Sequence, residues 1–270
     1  MSRRPLKSSC SFQLGPASGG RGPGRALCSL AALAPALVGL ALLPSACHPQ
    51  KTMSQADTIS LPEPVRTGEL SVETSIAQRR SVRSFADSPV SIPDLGQILW
   101  ACQGVTEPMA EAPSGFTWPW MGGLRTAPSA GALYPLEIHV VVHVVEGLDP
   151  GVYHYLPTGH SLVLGIPRDL RADLSGAALG QASVRNAPVT VVIAGVVDRT
   201  AAKYGDRAER YVHMEVGAAG ENIYLQAGSL GLGTVFVGAF DDGGVAQVLG
   251  LPRDQRVFAL MPLGHPVAGF

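Results

Sequence analysis

From residue 71 onward the apolar positions recur at two distinct periods, and each change of period marks a change of element. Ser71 or Thr74 can cap a short helix that runs into Arg79-Arg80-Ser81-Val82-Arg83-Ser84-Phe85. Ser91-Ile92-Pro93-Asp94 opens a second helix with Leu95, Ile98, Leu99 and Cys102 on one face. Residues 137–145 predict a strand, and residues 152–156 with 161–164 predict a hairpin around Pro157-Thr158-Gly159-His160. Residues 168–180 read as a helix. Residues 188–197 form a nearly continuous β-branched run, the pattern of a strand buried on both faces. The longest helix is predicted over 208–230, with Tyr211, Met214, Ala218, Asn222, Leu225 and Ser229 recurring at steps of three to four. A strand over 234–238, a short helix over 242–249 and a last strand over 256–263 complete the chain. This irregular alternation predicts an α+β fold with a mixed, largely antiparallel sheet flanked by helices.

Two stretches lack either period. Residues 47–70, with Pro62, Pro64 and Gly68 among polar positions, predict a linker or arm with no regular structure before Ser71. Residues 103–125 hold three prolines, four glycines and both Trp118 and Trp120. A long irregular stretch of this kind inside a compact domain is usually functional or mobile.

Composition changes the picture at the start of the chain. With 46% hydrophobic and 15% charged residues among 270, the chain can bury a sizeable core. Residues 1–46 differ in kind: Arg3, Arg4, Lys7, Arg21 and Arg25 are basic, no acid is present, and residues 26–43 are almost wholly Ala, Leu, Val and Gly. That layout predicts an export signal peptide. Ser2-Arg3-Arg4-Pro5-Leu6-Lys7 resembles a twin-arginine signal, and Leu43-Pro44-Ser45-Ala46-Cys47 resembles a lipoprotein cleavage site. The expectation is therefore an exported protein, periplasmic or anchored to a membrane through a lipidated Cys47. Translation from Met53 would instead leave it cytoplasmic. Without residues 1–46 the chain has 15 basic and 21 acidic residues, a net charge of −6, which argues against nucleic acid as a partner. Cys10 and Cys28 leave with the leader and Cys47 would be lipidated, so Cys102 has no partner for an internal disulfide.

The candidate chemistry centres on Arg125-Thr-Ala-Pro-Ser-Ala-Gly-Ala-Leu-Tyr-Pro135. Pro128 and Pro135 fix φ at two points, Gly131 can take a conformation closed to other residues, and the small Ser129 and Ala130 let the main chain approach a flat ligand. A tight loop leading into a strand is the alternative. Three other constellations fail. His139 and His143 share a strand face without a third ligand, so no metal site is predicted. Ser129 lacks the glycines of a nucleophile elbow. Leu230-Gly231-Leu232-Gly233 follows a helix and leads into a strand, the reverse of a dinucleotide fingerprint.

Arg79-Arg80-Ser81-Val82-Arg83-Ser84-Phe85, the Pro128–Pro135 loop, Leu230-Gly-Leu-Gly-Thr234 with Val237-Gly-Ala-Phe240, and Pro262-Leu-Gly-His-Pro266 occur in an order that resembles the FMN-dependent nitroreductase superfamily. The likeness is closest to its SagB-type branch, which includes thiazoline and oxazoline dehydrogenases. It spans about residues 70–268, so 71–270 are expected to form a nitroreductase-like FMN-binding domain, within an intertwined homodimer.

The resemblance implies that Arg79, Arg80, Ser81 and Arg83 grip the FMN phosphate, and guanidinium forks with a hydroxyl suit that dianion. A solvated basic helix end is the plainer reading of the same residues. It also implies that Pro128, Ser129, Ala130, Gly131 and Leu133 pack on the flavin, and that Gly238 and Ala239 direct amides at its N5 and O4. Without the resemblance, residues 238–240 would be a strand end before a helix cap at Asp241 or Asp242.

Lys203 and Tyr204 match a Lys-Tyr pair that the azoline dehydrogenases use in deprotonating the substrate ring. A desolvated Lys can act as base and a Tyr hydroxyl can relay the proton. An exposed Lys beside a half-buried Tyr is the alternative. His265 is the candidate for a further basic contact to the phosphate near the C-terminus. The function implied is an FMN-dependent oxidoreductase passing hydride through flavin N5 and oxidising a small organic or azoline-like substrate. An NAD(P)H-dependent nitroreductase and a non-catalytic flavin-binding lipoprotein are the alternatives.

Overall fold

The computed structural model describes residues 58–109 and 122–267. The predicted leader 1–46, Cys47, Met53, Trp118 and Trp120 lie outside the described residues.

Both early helices start where their caps predict. Helix α1 (Val72–Gln78) begins at Ser71, whose Oγ accepts from the Thr74 amide. Helix α2 (Ile92–Gln103) begins at Ser91, whose Oγ accepts from the Asp94 amide, with Pro93 in its first turn. The face of α2 bearing Leu95, Ile98, Leu99 and Cys102 is fully buried. Leu99→Ala is expected to lower stability by about 2–5 kcal/mol, measured by chemical denaturation, because the cavity cannot collapse among β-sheet neighbours.

The sheet contains β1 (Thr58–Ser60), β4 (Leu136–Val142), β5 (Gly151–Leu156), β6 (Ser161–Ile166), β7 (Val189–Gly195), β8 (Gly233–Thr234) and β9 (Arg256–Gly264). Their order is β1-β6-β5-β4-β7-β9-β8, and every neighbouring pair is antiparallel. Parallel pairing occurs as isolated bridges, Ser81 with Thr234 and Val90 with Val145. A separate ribbon pairs β2 (Val105–Pro108) with β3 (Gly123–Arg125), giving structure to both ends of the stretch expected to be irregular.

Alternation along the central strands builds two cores. Val140 and Val191 face one side with α2 and α6 (Ala208–Ser229). Val141 and Val192 face the other, against α3 (Arg171–Ala177), α4 (Ala182–Asn186) and α7 (Asp242–Leu249). Strand β7 is buried at every position, as its unbroken β-branched run requires.

Four expectations need correction. Regular structure begins before Ser71, because β1 pairs with Ser161–Val163 of β6 and satisfies an otherwise bare sheet edge. The strand expected over 188–197 stops at Gly195, and Val197–Tyr204 forms a helix, α5. The strand expected over 234–238 shrinks to β8, with Val237 bridging Leu260. On α6 the buried stripe is Val212, Val216, Ala219, Ile223 and Ala227, one position away from the predicted repeat, and Met214 is exposed.

Candidate active site

The loop between β3 and β4 is held in a strained form. Gly131 has φ 64° and ψ 19°, and two residues with side chains, Ala132 and Tyr134, also take positive φ of 55° and 45°. Such residues cost of order 1–3 kcal/mol each unless their surroundings over-determine them. Tyr134 is over-determined. Its amide donates to Ser129 Oγ at 2.9 Å, its carbonyl accepts from the Arg199 guanidinium, and its hydroxyl accepts from the Arg125 amide at 3.3 Å. Its ring lies under the Arg125 guanidinium, 4.6 Å from the centroid.

Buried charges support this turn from below. Arg199 donates to Glu137 Oε1 at 2.6 Å, and His154 contacts Glu137 Oε2 at 3.0 Å. Burial works against the Glu137 carboxylate, yet the His154 hydrogen bond and the charge and hydrogen bond of Arg199 bring its pKa down to about 2. Glu215 of α6 behaves in the opposite way. Burial pushes its carboxyl up to about 7, against hydrogen bonds from Ser129 and Gln103 and the Arg125 charge. Arg125 donates to Gln103 Oε1 at 3.1 Å, while its Nε and second terminal nitrogen are buried with no partner among the described residues.

Residues far apart in sequence meet at this loop. A Cβ placed on Gly131 would stand 2.8 Å from the Tyr204 hydroxyl and 3.0 Å from Lys203 Nζ. The Lys-Tyr pair at the end of α5 is therefore brought against the loop. Lys203 is exposed and Tyr204 half-buried, so in this chain the Lys is not desolvated and the pair has the burial of the alternative reading; the Tyr204 ring stands edge-on to Tyr211 at 5.0 Å. Pro128 is exposed, Ser129 to Ala132 are half-buried, and Leu133 is buried in the core.

The arginine segment lies against a different part of α6. Ser81 Oγ and the Tyr224 hydroxyl are 3.0 Å apart, and that hydroxyl accepts from the Phe236 amide at 2.7 Å. Tyr224 can then donate to Ser81, leaving the Ser81 proton free for an anion. Arg79 stacks over the Tyr224 ring at 5.1 Å. Arg83 is exposed and touches the Ser81 carbonyl at 3.5 Å. Arg80 turns back instead onto the carbonyls of Ala77 and Arg79 at the end of α1. At about 1.5 Å per residue, Tyr224 stands roughly 14 Å along α6 from Glu215, so the two groups of predicted residues occupy separate stations on one helix.

Gly238 and Ala239 are exposed, and among the described residues nothing accepts from their amides. The Gln181 side chain holds the Ala239 carbonyl at 2.7 Å, and the Asp241 amide donates to Ala177 O. His265 lends its carbonyl to the Ala86 amide. His139 stacks on His154 at 4.8 Å and bonds to Gln255, whereas His143 pairs with Asp169 at 2.7 Å. A groove of about 840 Å³ lies elsewhere, between the 62–70 arm, α2 and the end of α6, and meets the loop region at Thr126.

These residues fit a flavin nucleotide. The bare α-carbon of Gly131 offers room for a flat ring, Ser81 with Arg79 and Arg83 offers a hydroxyl and two guanidinium groups to an anion, and residues 238 and 239 offer open amides to a polar ring edge. Sequence reasoning missed Gln103, Arg125, Glu137, Arg199, Glu215 and Tyr224. A signal for Glu215 exists, since a lone acid sits inside the Val212, Val216, Ala219 stripe.

Comparison with known proteins shows the family of the chain. A Methanocaldococcus jannaschii protein described as a nitroreductase is 42% identical over 199 residues, covering 74% of this chain and 93% of its own. The Escherichia coli microcin B17-processing protein McbC is 31% identical over 153 residues, 53% of this chain and 54% of McbC. A crystal structure of a Ralstonia eutropha protein, also described as a nitroreductase, superposes with a TM-score of 0.65 at 26% identity, covering 79% of this chain and 91% of that one. Residues 76–265 match the nitroreductase family, so the chain belongs to that family of oxidoreductases.

Proposed function

We propose that the protein is an FMN-dependent dehydrogenase of the SagB type, acting on a small organic or azoline-like substrate. The observation that carries this reading is the meeting of Gly131 with Lys203 and Tyr204. A base and a hydroxyl beside a flat, left-handed glycine are what oxidation of a ring with an acidic C–H needs. FMN, when bound, supplies hydride acceptance at N5. Lys203 would hold or take the substrate proton at Nζ, and Tyr204 would orient or relay it. Arg79, Ser81 and Arg83 would hold the phosphate, and the amides of Gly238 and Ala239 would donate to the ring edge. The kinship with a protein named for microcin B17 processing supports this branch.

A homodimer belongs to the same reading. Val72 and Ile76 on α1 and Met214 on α6 are exposed apolar side chains, and a second copy would cover them. The two stations on α6 would then be completed across the interface. The leader remains part of the proposal, with an exported or Cys47-anchored product, and N-terminal sequencing of the mature protein tests it.

A second reading, an NAD(P)H-dependent nitroreductase, is favoured by the name of the Methanocaldococcus relative. Anaerobic titration of the FMN-loaded protein separates the two. Bleaching by an azoline-bearing compound with no response to NADH or NADPH supports the dehydrogenase, and rapid bleaching by NADH or NADPH alone overturns it. Arg83→Ala is expected to weaken FMN retention roughly ten- to a hundredfold, the worth of one charge-assisted contact. Unchanged retention in a flavin-binding assay would mean that the phosphate lies elsewhere.

A further inference from the structure

Glu215 is 3% exposed and sits on the buried stripe of α6, directly beneath the 128–134 loop. Arg125 donates to Gln103, the Gln103 amide reaches Glu215 Oε1 at 3.5 Å, and the Tyr134 amide donates to Ser129, whose hydroxyl is near enough to favour the Glu215 carboxylate. Arg125 is linked to the carboxyl through Gln103, and two of its nitrogens are buried with no partner among the described residues. The charged and titratable groups facing Glu215 are Arg125 from β3, Arg199 from α5, Cys102 from α2 and Tyr134 from the loop. A buried carboxyl so placed responds to any change of charge or hydration at the loop.

Resting on the flavin reading, we propose that Glu215 takes up a proton as the cofactor settles on the 128–134 loop, coupling FMN binding to pH. Ser129 to Ala132 are half-buried, so part of this loop is open to a ligand while Glu215 is enclosed. A flavin ring on that open part would exclude water from the loop, and loss of water favours the neutral carboxylic acid. Glu215 is thus a positioning residue whose protonation would answer the loss of water at the loop.

Calorimetric titration of the full chain with FMN, in two buffers of different ionisation heat, tests the coupling. Near pH 7 the native chain is expected to take up as much as about half a proton more than Glu215→Gln, and its FMN affinity should fall by up to about tenfold per pH unit above pH 7. In Glu215→Gln that extra dependence is absent, leaving the share that belongs to the phosphate of FMN itself. Ser129→Ala removes a hydrogen bond that favours the carboxylate, so the midpoint of uptake should move to higher pH. A thermal melt of each variant without FMN establishes that it is folded. Equal proton uptake in native chain and Glu215→Gln overturns the inference while leaving the flavin reading intact. Failure of the native chain to bind FMN overturns both.

Discussion

Arg199→Met is expected to destabilise the protein by about 3–5 kcal/mol, the usual cost of stripping one partner from a buried ion pair. Arg199 and Glu137 are 2.6 Å apart, with side chains only 10% and 13% exposed. Removing the guanidinium also leaves the Tyr134 carbonyl without its donor, so the strain at Tyr134 loses a restraint. Loop and sheet should therefore weaken together. The pH dependence carries a signature. The Glu137 pKa is depressed to about 2 from an ordinary value of 4.5, so its contribution is fully present above about pH 4.5 and is lost as pH falls toward 2. Acid denaturation of the native protein should show that loss, and Arg199→Met should show much less of it. Melting curves across this range check the claim, and a variant as stable as the native chain would show that the pair is idle.

Lys203→Met is expected to lower turnover by about 10²- to 10⁴-fold, the range for loss of a general base, while FMN affinity stays within a few-fold of native. The split between catalysis and binding is the informative part. Lys203 is exposed and its amine lies beside Gly131, so its removal leaves the loop restraints at Tyr134 untouched. Tyr204→Phe should fall in the same direction by a smaller factor, because a relay can be replaced by water. Stopped-flow flavin reduction by substrate measures both. Normal turnover in Lys203→Met would remove this residue from the chemistry.

Local rules reached some parts of the molecule and not others. Ser91 and Pro93 with the Leu95, Ile98, Leu99, Cys102 face announced α2, because cap and period agree and burial follows. The hairpin at Pro157 to His160 was legible for the same reason, and His160 takes the left-handed conformation that such a turn demands. Helix α5 was hidden, since the apolar run of β7 continues through Val196 and Val197, whereas the ladder stops where Val196 donates to the Pro135 carbonyl and proline has no amide to return. Three residues of β1 in a proline-rich arm have no period to read, and their existence depends on the free edge of β6. At the site, the small-residue loop and the Lys-Tyr pair stood out as motifs, yet nothing local says that they touch. The supporting network was invisible because Gln103, Arg125, Glu137, Arg199 and Glu215 come from five elements, and each looks like an ordinary charged or polar position until the fold buries it.

Equilibrium titration of the full chain with FMN, followed by flavin fluorescence, decides whether the protein binds the cofactor. The expected result is quenching that saturates at one FMN per chain and weakens when Arg83 is replaced by Ala. No quenching at any ratio, with the protein folded, would contradict it.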